Sequence, residues 1–289
     1  MKTKLLSHFS KLFILIILMV ACSSSDDSSP ETNQPNTATQ LIDKIIPENP
    51  ESWEKGAQFF YQNDKLKYVY LDNCNGELYY FEYNDEGKVS KRYYDVISFE
   101  GEEFNPNNYD LSSLIQSGTP LNYIYQNGNL VKMQYTDDFV DYQFSYDNDN
   151  KVEVVEWILR DIGLWQKVVF TYSNDKISAM NKKQFNTSGG SVVSNYDYTF
   201  EYDNKQNPFY TLADSFSTLG IYTCTGFDYI SSEDIGLKLF KNNVTKVYRG
   251  GVELFSATYQ YNDNNYPTRI SYTNTNGNNS GVDLITYLE

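Results

Sequence analysis

Residues 142–154 read YQFSYDNDNKVEV, and this stretch holds the pattern that decides the fold. Its first five residues alternate aromatic and polar side chains, which is the period of two expected of a β-strand with one apolar face. The run DNDN follows, and Asn and Asp tolerate the left-handed backbone angles that tight hairpin turns require. Lys151 and Val152 then open a second strand. The stretch therefore predicts a β-hairpin.

The same pattern returns from residue 57 onward, and each first strand ends in an aromatic residue that we call an anchor. The anchors are Tyr61, Tyr83, Tyr125, Tyr146, Tyr172, Tyr202, Phe240 and Tyr261. Several successive anchors are 21 or 22 residues apart, which matches two strands of about eight residues plus two turns. We predict an all-β fold, in which a long antiparallel meander of repeated β-hairpins is curled by strand twist into a half-pipe or barrel-like sheet. The strand count and the closure of the sheet remain open.

Three insertions interrupt the meander, and they are expected to supply short helical elements. Residues 98–120 allow a helical turn from an Asp110 cap to Gly118. Residues 208–220 allow a short helix with its apolar side chains on one side, and residues 231–234 could begin another turn. We expect the insertions to plug an open end of the curled sheet.

Residues 1–21 have the features of a lipoprotein signal peptide: a basic start, an apolar run over residues 12–20, and a small residue before Cys22. The apolar run is far shorter than the ~20 residues of a membrane-spanning helix. The residues MVAC, ending at Cys22, resemble the lipobox of bacterial lipoproteins, which implies a diacylglyceryl group on that thiol. The alternative is an ordinary signal peptide with an incidental cysteine. We expect lipidation of Cys22 to anchor the protein in a membrane.

Residues 22–40 combine this cysteine with a linker rich in Ser, Pro and Asn, a composition that cannot bury enough apolar surface to fold. Residues 25–27, SDD, resemble the acidic export signal that Bacteroidota-type lipoproteins use to reach the outer face of the outer membrane. The alternative is a generic solvated linker. We expect a lipid-anchored outer-membrane location, with the cell surface favoured over the periplasmic face. Residues 41–289 are predicted to form a single repeat-built β domain.

The charge balance limits the function. The chain of 289 residues has 23 Lys and Arg against 38 Asp and Glu, a net charge of −15. A polyanion would be repelled by such a surface, so we predict no nucleic-acid partner. The single histidine, His8, lies in the signal peptide, which excludes Ser-His-Asp and Cys-His catalysis and histidine metal sites in the mature protein.

The acidic residues give little support to catalysis or metal binding. The turns at 147–150 and 262–265 superficially resemble calcium loops, but neither has the twelve-residue spacing that ends in Glu, and turn formation explains them. A glycosidase would need two carboxylates facing each other in a cleft, and no Asp or Glu lies in a distinctive motif. We predict no metal, no cofactor and no enzymatic activity.

The repeat units resemble, in degenerate form, the tyrosine-aspartate repeats of bacterial cell-surface shell proteins. Segments such as FEYDNKQNPF and YQYNDNNYPTRISY are more closely similar to a group of Bacteroidota-type lipoproteins of unknown function whose domain is described as porin-like. The resemblance covers residues 40–289 and the lipoprotein leader. It implies a curled antiparallel sheet and attaches no activity.

The segment VEWILRDIGLWQKV is longer and more apolar than the other turns and carries Trp157, Arg160 and Trp165. Aromatic rings beside an arginine are typical of interaction hot spots, and loops on a rigid scaffold often carry function. We therefore predict a ligand-binding surface at these three residues for a glycan or a protein partner. The alternative is that the Trp rings are buried in the curled sheet.

Cys74 and Cys224 remain once Cys22 is lipidated, and an exported location permits a disulfide between them. Their separation in the sequence leaves pairing open. Taken together, the sequence predicts a non-catalytic outer-membrane lipoprotein, displayed at the surface, with a binding or envelope-structural role. Its partners would be the membrane, through Cys22, and a glycan or a protein. The alternative is a glycan-binding or glycan-processing surface lipoprotein.

Overall fold

A computed structural model of the chain describes residues 40–49, 56–72, 76–97, 104–136, 140–186, 190–212, 240–275 and 279–289. This part of the chain holds 16 strands, one α-helix and two 3-10 helices. The strands are β1 (Ile42–Pro47), β2 (Ala57–Gln62), β3 (Lys65–Leu71), β4 (Glu77–Tyr83), β5 (Val89–Val96), β6 (Leu121–Gln126), β7 (Asn129–Tyr135), β8 (Val140–Tyr146), β9 (Val152–Leu159), β10 (Gly163–Ser173), β11 (Lys176–Phe185), β12 (Val192–Gln206), β13 (Asn242–Arg249), β14 (Val252–Tyr261), β15 (Pro267–Asn274) and β16 (Asn279–Tyr287). The helix α1 covers Leu111–Ser117, and the 3-10 helices cover Pro106–Asn108 and Pro208–Leu212. Within these ranges no helix is long and apolar enough to cross a membrane.

The strands form a closed barrel in which each strand pairs with its sequence neighbours. Every pairing is antiparallel, and β1 closes the ring against β16 with Ile45 opposite Ile285. The predicted antiparallel meander is therefore confirmed. The open question of closure is answered by a complete barrel of 16 strands.

The hairpin turns at one end of the barrel, here called the turn end, are built by residues with positive φ. Three hairpins use two-residue turns in which both residues have positive φ: Asn63-Asp64, Asn127-Gly128 and Asn174-Asp175. That geometry matches the right-handed twist of the flanking strands. The opposite end, which carries the first insertion between β5 and β6, is called the loop end.

Longer turns use a side chain to hold the loop. In the turn at 147–150, Asp147 Oδ1 accepts hydrogen bonds from the backbone N–H groups of Asp149 (2.9 Å) and Lys151 (2.8 Å). Asn150 then takes a positive φ of 63° and returns the chain to the next strand. The DNDN stretch is a self-capped turn, as its composition indicates.

A β-bulge accompanies almost every anchor. The strand register shifts next to Tyr61, Tyr83, Tyr125, Tyr146, Tyr172, Tyr202 and Tyr261. A bulge bends its strand and increases the local twist. Repeated once per hairpin, it gives the sheet the curvature that closes a barrel.

Four of the anchor tyrosines, and Tyr287 at the end of β16, also connect their hairpin to the one before it. Their hydroxyls donate to backbone carbonyls near the start of the preceding hairpin's second strand, over 2.6–2.8 Å. These bonds run from Tyr83 to Leu66, Tyr146 to Leu130, Tyr172 to Val152, Tyr202 to Ile177 and Tyr287 to Pro267. The repeated Tyr therefore has a structural role, because its hydroxyl hydrogen-bonds one hairpin to the next.

The structure corrects one anchor and adds another. Phe240 is buried in the core, but β12 and β13 pair with each other, so the Tyr202 and Phe240 units are two strands of one hairpin. The remaining hairpin consists of the two ends of the chain, β16 and β1, where Tyr287 makes the anchor bond. The sequence pattern missed Tyr287 because no turn follows it.

Each strand sends one face into the barrel and the other to its outer wall. The interior holds one large cluster that includes Phe81, Met133 and Trp157. Much of the outer wall carries ion pairs: Lys167, which alternates with buried neighbours in β10, lies 2.9 Å from Glu156 on β9. Equivalent outer pairs join Lys132 to Asp141 (2.9 Å) and Lys246 to Glu253 (3.1 Å).

The first insertion covers part of the outer wall. The predicted helical turn is confirmed: Asp110 accepts from the Ser113 N–H (3.1 Å), and the Gly118 N–H donates to the Leu114 carbonyl (2.7 Å). Leu114 packs with Tyr80 and Tyr93 in a separate outer cluster. The expectation that this insertion plugs an end of the sheet is wrong for residues 104–118.

The second insertion does enter the barrel. Within Pro208–Leu212, Phe209 is 2% exposed and belongs to the interior cluster. Asn207 holds this turn, because its side chain donates to the Phe240 carbonyl (3.0 Å) and accepts from the Phe209 N–H (3.0 Å). The rest of the predicted helix at 208–220, and residues 231–234, lie outside the described residues.

Candidate functional site

The three residues of the predicted binding surface do not converge. Trp157 points into the barrel, is 2% exposed, and packs edge-on against Tyr142 with ring centroids 5.9 Å apart. Trp165 is partly buried against the same interior cluster. Arg160 lies in the turn after β9 and reaches the outer wall. The placement of Trp157 matches the alternative of buried rings, and ligand binding by this segment stays a prediction.

Arg160 has a structural partner at its position. Its Nε donates to Asp141 Oδ1 over 2.9 Å, and its Nη2 donates to the Tyr135 carbonyl. Lys132 contacts the other oxygen of Asp141 over 2.9 Å. Burial raises the pKa of Asp141, but the hydrogen bonds from Lys132 and Arg160 outweigh it, so that the pKa is lowered. The triad stabilises the β7–β8–β9 wall.

Three other predicted site residues lie outside the described residues. Cys22 belongs to residues 1–39, Cys74 to residues 73–75, and Cys224 to residues 213–239. Lipidation of Cys22 and pairing of Cys74 with Cys224 therefore stay predictions.

The turn end carries a regular array that we call the lysine ladder. The lysine of one hairpin lies over the anchor ring of the next, with Nζ 5.2–5.6 Å from the ring centroid. The pairs are Lys65 over Tyr83, Lys88 over Tyr125, Lys151 over Tyr172 and Lys176 over Tyr202. Such distances give a cation–π attraction, and the ladder places positive charge along one end of an acidic protein.

The third hairpin departs from the ladder. Asn129 stands where the flanking hairpins have lysine, and its side-chain amide exchanges hydrogen bonds with that of Asn150 in the next turn. A cavity of about 390 Å³ opens beside it, which we call the turn-end pocket. Its lining includes the rings of Tyr125, Tyr146, Tyr172 and Tyr210, the cations Lys88, Lys151 and Lys241, the amides Asn129 and Asn150, and the carboxylate of Asp175. Its volume falls in the usual range for ligand sites.

The pocket combines flat aromatic surfaces with hydrogen-bonding groups and an excess of positive charge. Lys151 Nζ lies 2.7 Å from Asp175 Oδ1. This hydrogen bond raises the pKa of Lys151 and lowers that of Asp175, so both groups are charged at neutral pH. The arrangement could bind a polar, ring-shaped ligand such as a sugar, by stacking on tyrosine and hydrogen bonding to amides and lysines.

The same lining does not fit acid–base catalysis. General acid–base cleavage of a glycoside needs two carboxylates, and Asp175, the one carboxylate of the pocket, is held by Lys151. Among the described residues no group of three or more His, Cys, Asp or Glu side chains could hold a metal ion.

A second cavity, of about 740 Å³, lies beside the junction of β1 and β2. There β1 and β2 pair through only two residue pairs, Lys44–Gln58 and Ile45–Ala57. Five aromatic residues contribute to the lining of the cavity, and its one lysine, Lys67, already donates to the Tyr80 hydroxyl over 3.0 Å. Its polar groups are fewer than those of the turn-end pocket, which we take as the candidate site.

Fold and site together define a class: a closed antiparallel β-barrel of 16 strands with an apolar interior and a polar outer wall. No family model and no curated protein matches the chain. A porin-like protein from Bacteroides uniformis is 14% identical, with 87% of this chain and 99% of that chain covered and a TM-score of 0.47. A porin-like protein from Bacteroides vulgatus is 11% identical, with 86% and 99% covered and a TM-score of 0.38.

The TcdB2-TccC3 structure is 11% identical, and the match covers 78% of this chain but 10% of that chain, with a TM-score of 0.31. At these TM-scores the likenesses carry no argument about fold or function. The barrel is defined by its strand pairing, and the candidate site is defined by the residues that line the turn-end pocket.

Proposed function

We propose that the protein is a non-catalytic outer-membrane lipoprotein, anchored through Cys22 and displayed at the cell surface, whose barrel stands in water beside the bilayer. The observation that supports this proposal is the polarity of the barrel. Away from the part that the first insertion covers, ion pairs and amide side chains occupy the outer wall, whereas aromatic and aliphatic side chains make up most of the interior. A barrel that spans a membrane has the reverse arrangement, with an outward apolar band about 25 Å tall and a polar interior.

The anchor is tested by metabolic labelling with palmitate. The wild-type protein should incorporate label, Cys22→Ala should not, and the matched variant Cys224→Ala should label as the wild type does. Labelling of the Cys22→Ala protein, or none of the wild type, would contradict the anchor. Protease added to intact cells should degrade a surface-displayed barrel, whereas survival of the protein would place it on the periplasmic face.

The position of the barrel is tested separately with an unlipidated protein that begins at residue 40. It should stay in the aqueous fraction when mixed with phospholipid vesicles and floated on a density gradient, because its outer wall is charged. Flotation with the vesicles, together with resistance to carbonate extraction, would contradict a water-facing wall.

A second candidate function is glycan binding, and the turn-end pocket favours it. Tyrosine faces, asparagine amides and lysines surround one cavity of a size suited to one or two sugar rings. The excess of lysine over carboxylate favours acidic over neutral sugars.

This candidate is tested by calorimetric titration with acidic and neutral oligosaccharides. Tyr210→Ala and Lys241→Ala should each weaken binding of the acidic ligand, because each removes one contact with the sugar. We expect the Kd to rise by about tenfold, which corresponds to about 1.4 kcal/mol of binding free energy. The control Lys167→Ala, on the outer wall, should leave binding unchanged. Equal binding by all variants would remove the pocket from consideration.

A further inference from the structure

Arg92 is a charged side chain inside the barrel. In β5 it lies opposite Phe81 of the interior cluster, and it is 7% exposed. Its Nη2 donates to the Tyr135 hydroxyl over 2.8 Å, and its guanidinium lies 5.4 Å from the centre of the Tyr79 ring. No carboxylate among the described residues contacts Arg92, although a buried charge is costly unless it is paired.

The groups around Arg92 present hydrogen-bond donors in excess of acceptors. Arg92 Nε is buried and has no partner among the described residues, and the same is true of the Tyr123 hydroxyl. The Tyr135 hydroxyl already accepts from Arg92, which leaves its own proton to donate. Burial raises the pKa of Tyr123 to about 12, against the opposing influence of Arg92, so that hydroxyl is a donor at neutral pH.

Two tyrosine hydroxyls therefore accompany a guanidinium that has a free N–H of its own, and an acceptor is needed to satisfy these donors. A water molecule could accept hydrogen bonds, but it would leave the guanidinium charge without compensation in a low-dielectric interior. A small anion would satisfy the donors and neutralise the charge together.

We propose that Arg92, Tyr123 and Tyr135 form an internal anion-binding site in the barrel, which takes a halide ion or the carboxylate group of a small ligand. The site is distinct from the turn-end pocket and does not depend on the function proposed above.

The site lies close to the loop end of the barrel. Tyr94, two residues after Arg92 in β5, shares its inward face and is 42% exposed. Its ring lies 5.3 Å from that of Tyr79, whose ring in turn lies beside the Arg92 guanidinium. The guanidinium therefore lies within two rings of solvent at the loop end.

Bromide is the probe for a direct test. Crystals of the wild-type protein grown in sodium bromide should show an anomalous peak within hydrogen-bond distance of Arg92 Nε and the Tyr123 hydroxyl. Crystals grown in sodium acetate instead should show planar carboxylate density at the same place if the site admits a carboxylate. A site that is occupied in bromide but not by acetate would be restricted to halides. A water molecule at Arg92 in both crystals, or no density there, would overturn the proposal.

A solution measurement needs no crystal. The ³⁵Cl NMR line of chloride should be broadened by the wild-type protein, and this excess broadening should be lost in Arg92→Met. The control Arg269→Met removes an outer-wall arginine that pairs with Glu48 over 2.8 Å, and it should keep the broadening. Equal broadening by wild type and both variants would contradict the site, and if Arg92→Met does not fold, Tyr123→Phe should reduce the broadening instead.

Discussion

At the scale of single residues, the hydroxyl of the anchor tyrosine matters as much as its ring. The ring packs against the interior cluster, and the hydroxyl donates to a backbone carbonyl of the preceding hairpin next to its bulge. Burial raises the pKa of the Tyr202 hydroxyl above its usual value, so it keeps its proton and remains a donor through the physiological range. Aromatic content alone predicts the packing role, and only the structure shows the bond.

Tyr202→Phe isolates this bond because it keeps the ring and removes the 2.7 Å contact with the Ile177 carbonyl. We expect the free energy of unfolding to fall by about 1 to 2 kcal/mol, since a buried carbonyl is left unsatisfied. The control is Tyr196→Phe, at a ring that is 40% exposed, which should change stability little. Urea unfolding of both variants measures the difference, and equal stabilities would mean that the hydroxyl contributes nothing.

Lys182 gives a pH-dependent prediction. Burial lowers its pKa to about 8, with a further contribution from the nearby Arg249 charge. Above pH 8 the unfolded chain binds more protons at this lysine than the folded protein does, so stability should rise from pH 8 toward pH 10. Unfolding measured across this range should show that rise in the wild type and a smaller one in Lys182→Met. A pH profile unchanged by the substitution would contradict the lowered pKa.

At the scale of elements, the hairpins were predictable because their signals are local. Strand alternation and turn residues lie within a dozen positions of one another, and the structure places turns at DNDN and NG as expected. The β12–β13 hairpin misled the pattern because 35 residues, from Asn207 to Lys241, separate its two strands. The pairing of β16 with β1 could not be predicted from the local pattern, because these are the last and first strands and no turn joins them.

The turn-end pocket shows a similar division. The sequence contains the signal, since LNYIYQNGNLVKM has Asn129 where neighbouring units have lysine. Its consequence could not be foreseen, because the lysine acts on the ring of the next hairpin and not on its own. Trp157 and Arg160 could not be placed either, since their faces depend on the strand register after a turn.

Asp64 tests the turn geometry. It is exposed and has a φ of 59° in a two-residue turn. Asp64→Val should lower the free energy of unfolding by about 1 kcal/mol, because a β-branched residue is strained at positive φ, whereas Asp64→Gly should be neutral or stabilising. At Asp263, an exposed turn residue without positive φ, Gly should be slightly destabilising instead. Thermal unfolding of the three variants compares them, and a tolerated valine at position 64 would contradict the turn assignment.

At the scale of the whole molecule, closure protects the sheet. In the part of the chain that the structure describes, every strand has a neighbour on both sides, so no strand is left as a free edge, the usual starting point of association. Closure could not be predicted from the sequence, because it depends on the sum of many small twists and bulges. The sequence of a single hairpin does not show how large its own twist is.

Removal of β1 should reverse this protection. A protein that begins at residue 48 would expose the edges of β2 and β16, and it should form dimers or aggregates at concentrations where the protein that begins at residue 40 is a monomer. Size-exclusion chromatography with light scattering measures the difference. A monomeric, fully folded shorter protein would show that β1 is dispensable for closure.

The seam between β16 and β1 has one more consequence, which concerns where the chain needs to start. The two ends meet at the turn end, where the Leu288 N–H donates to the Leu41 carbonyl over 2.9 Å. Tyr287 makes the same bond there as the tyrosines of the connected hairpins, so β16 and β1 are joined in the way that hairpins with a turn are joined. A short peptide joining the two ends would supply the missing turn, and new termini could be opened at Asn127-Gly128 or Asn174-Asp175. The barrel should therefore tolerate circular permutation, with the tether moved to whichever hairpin is chosen to begin the chain.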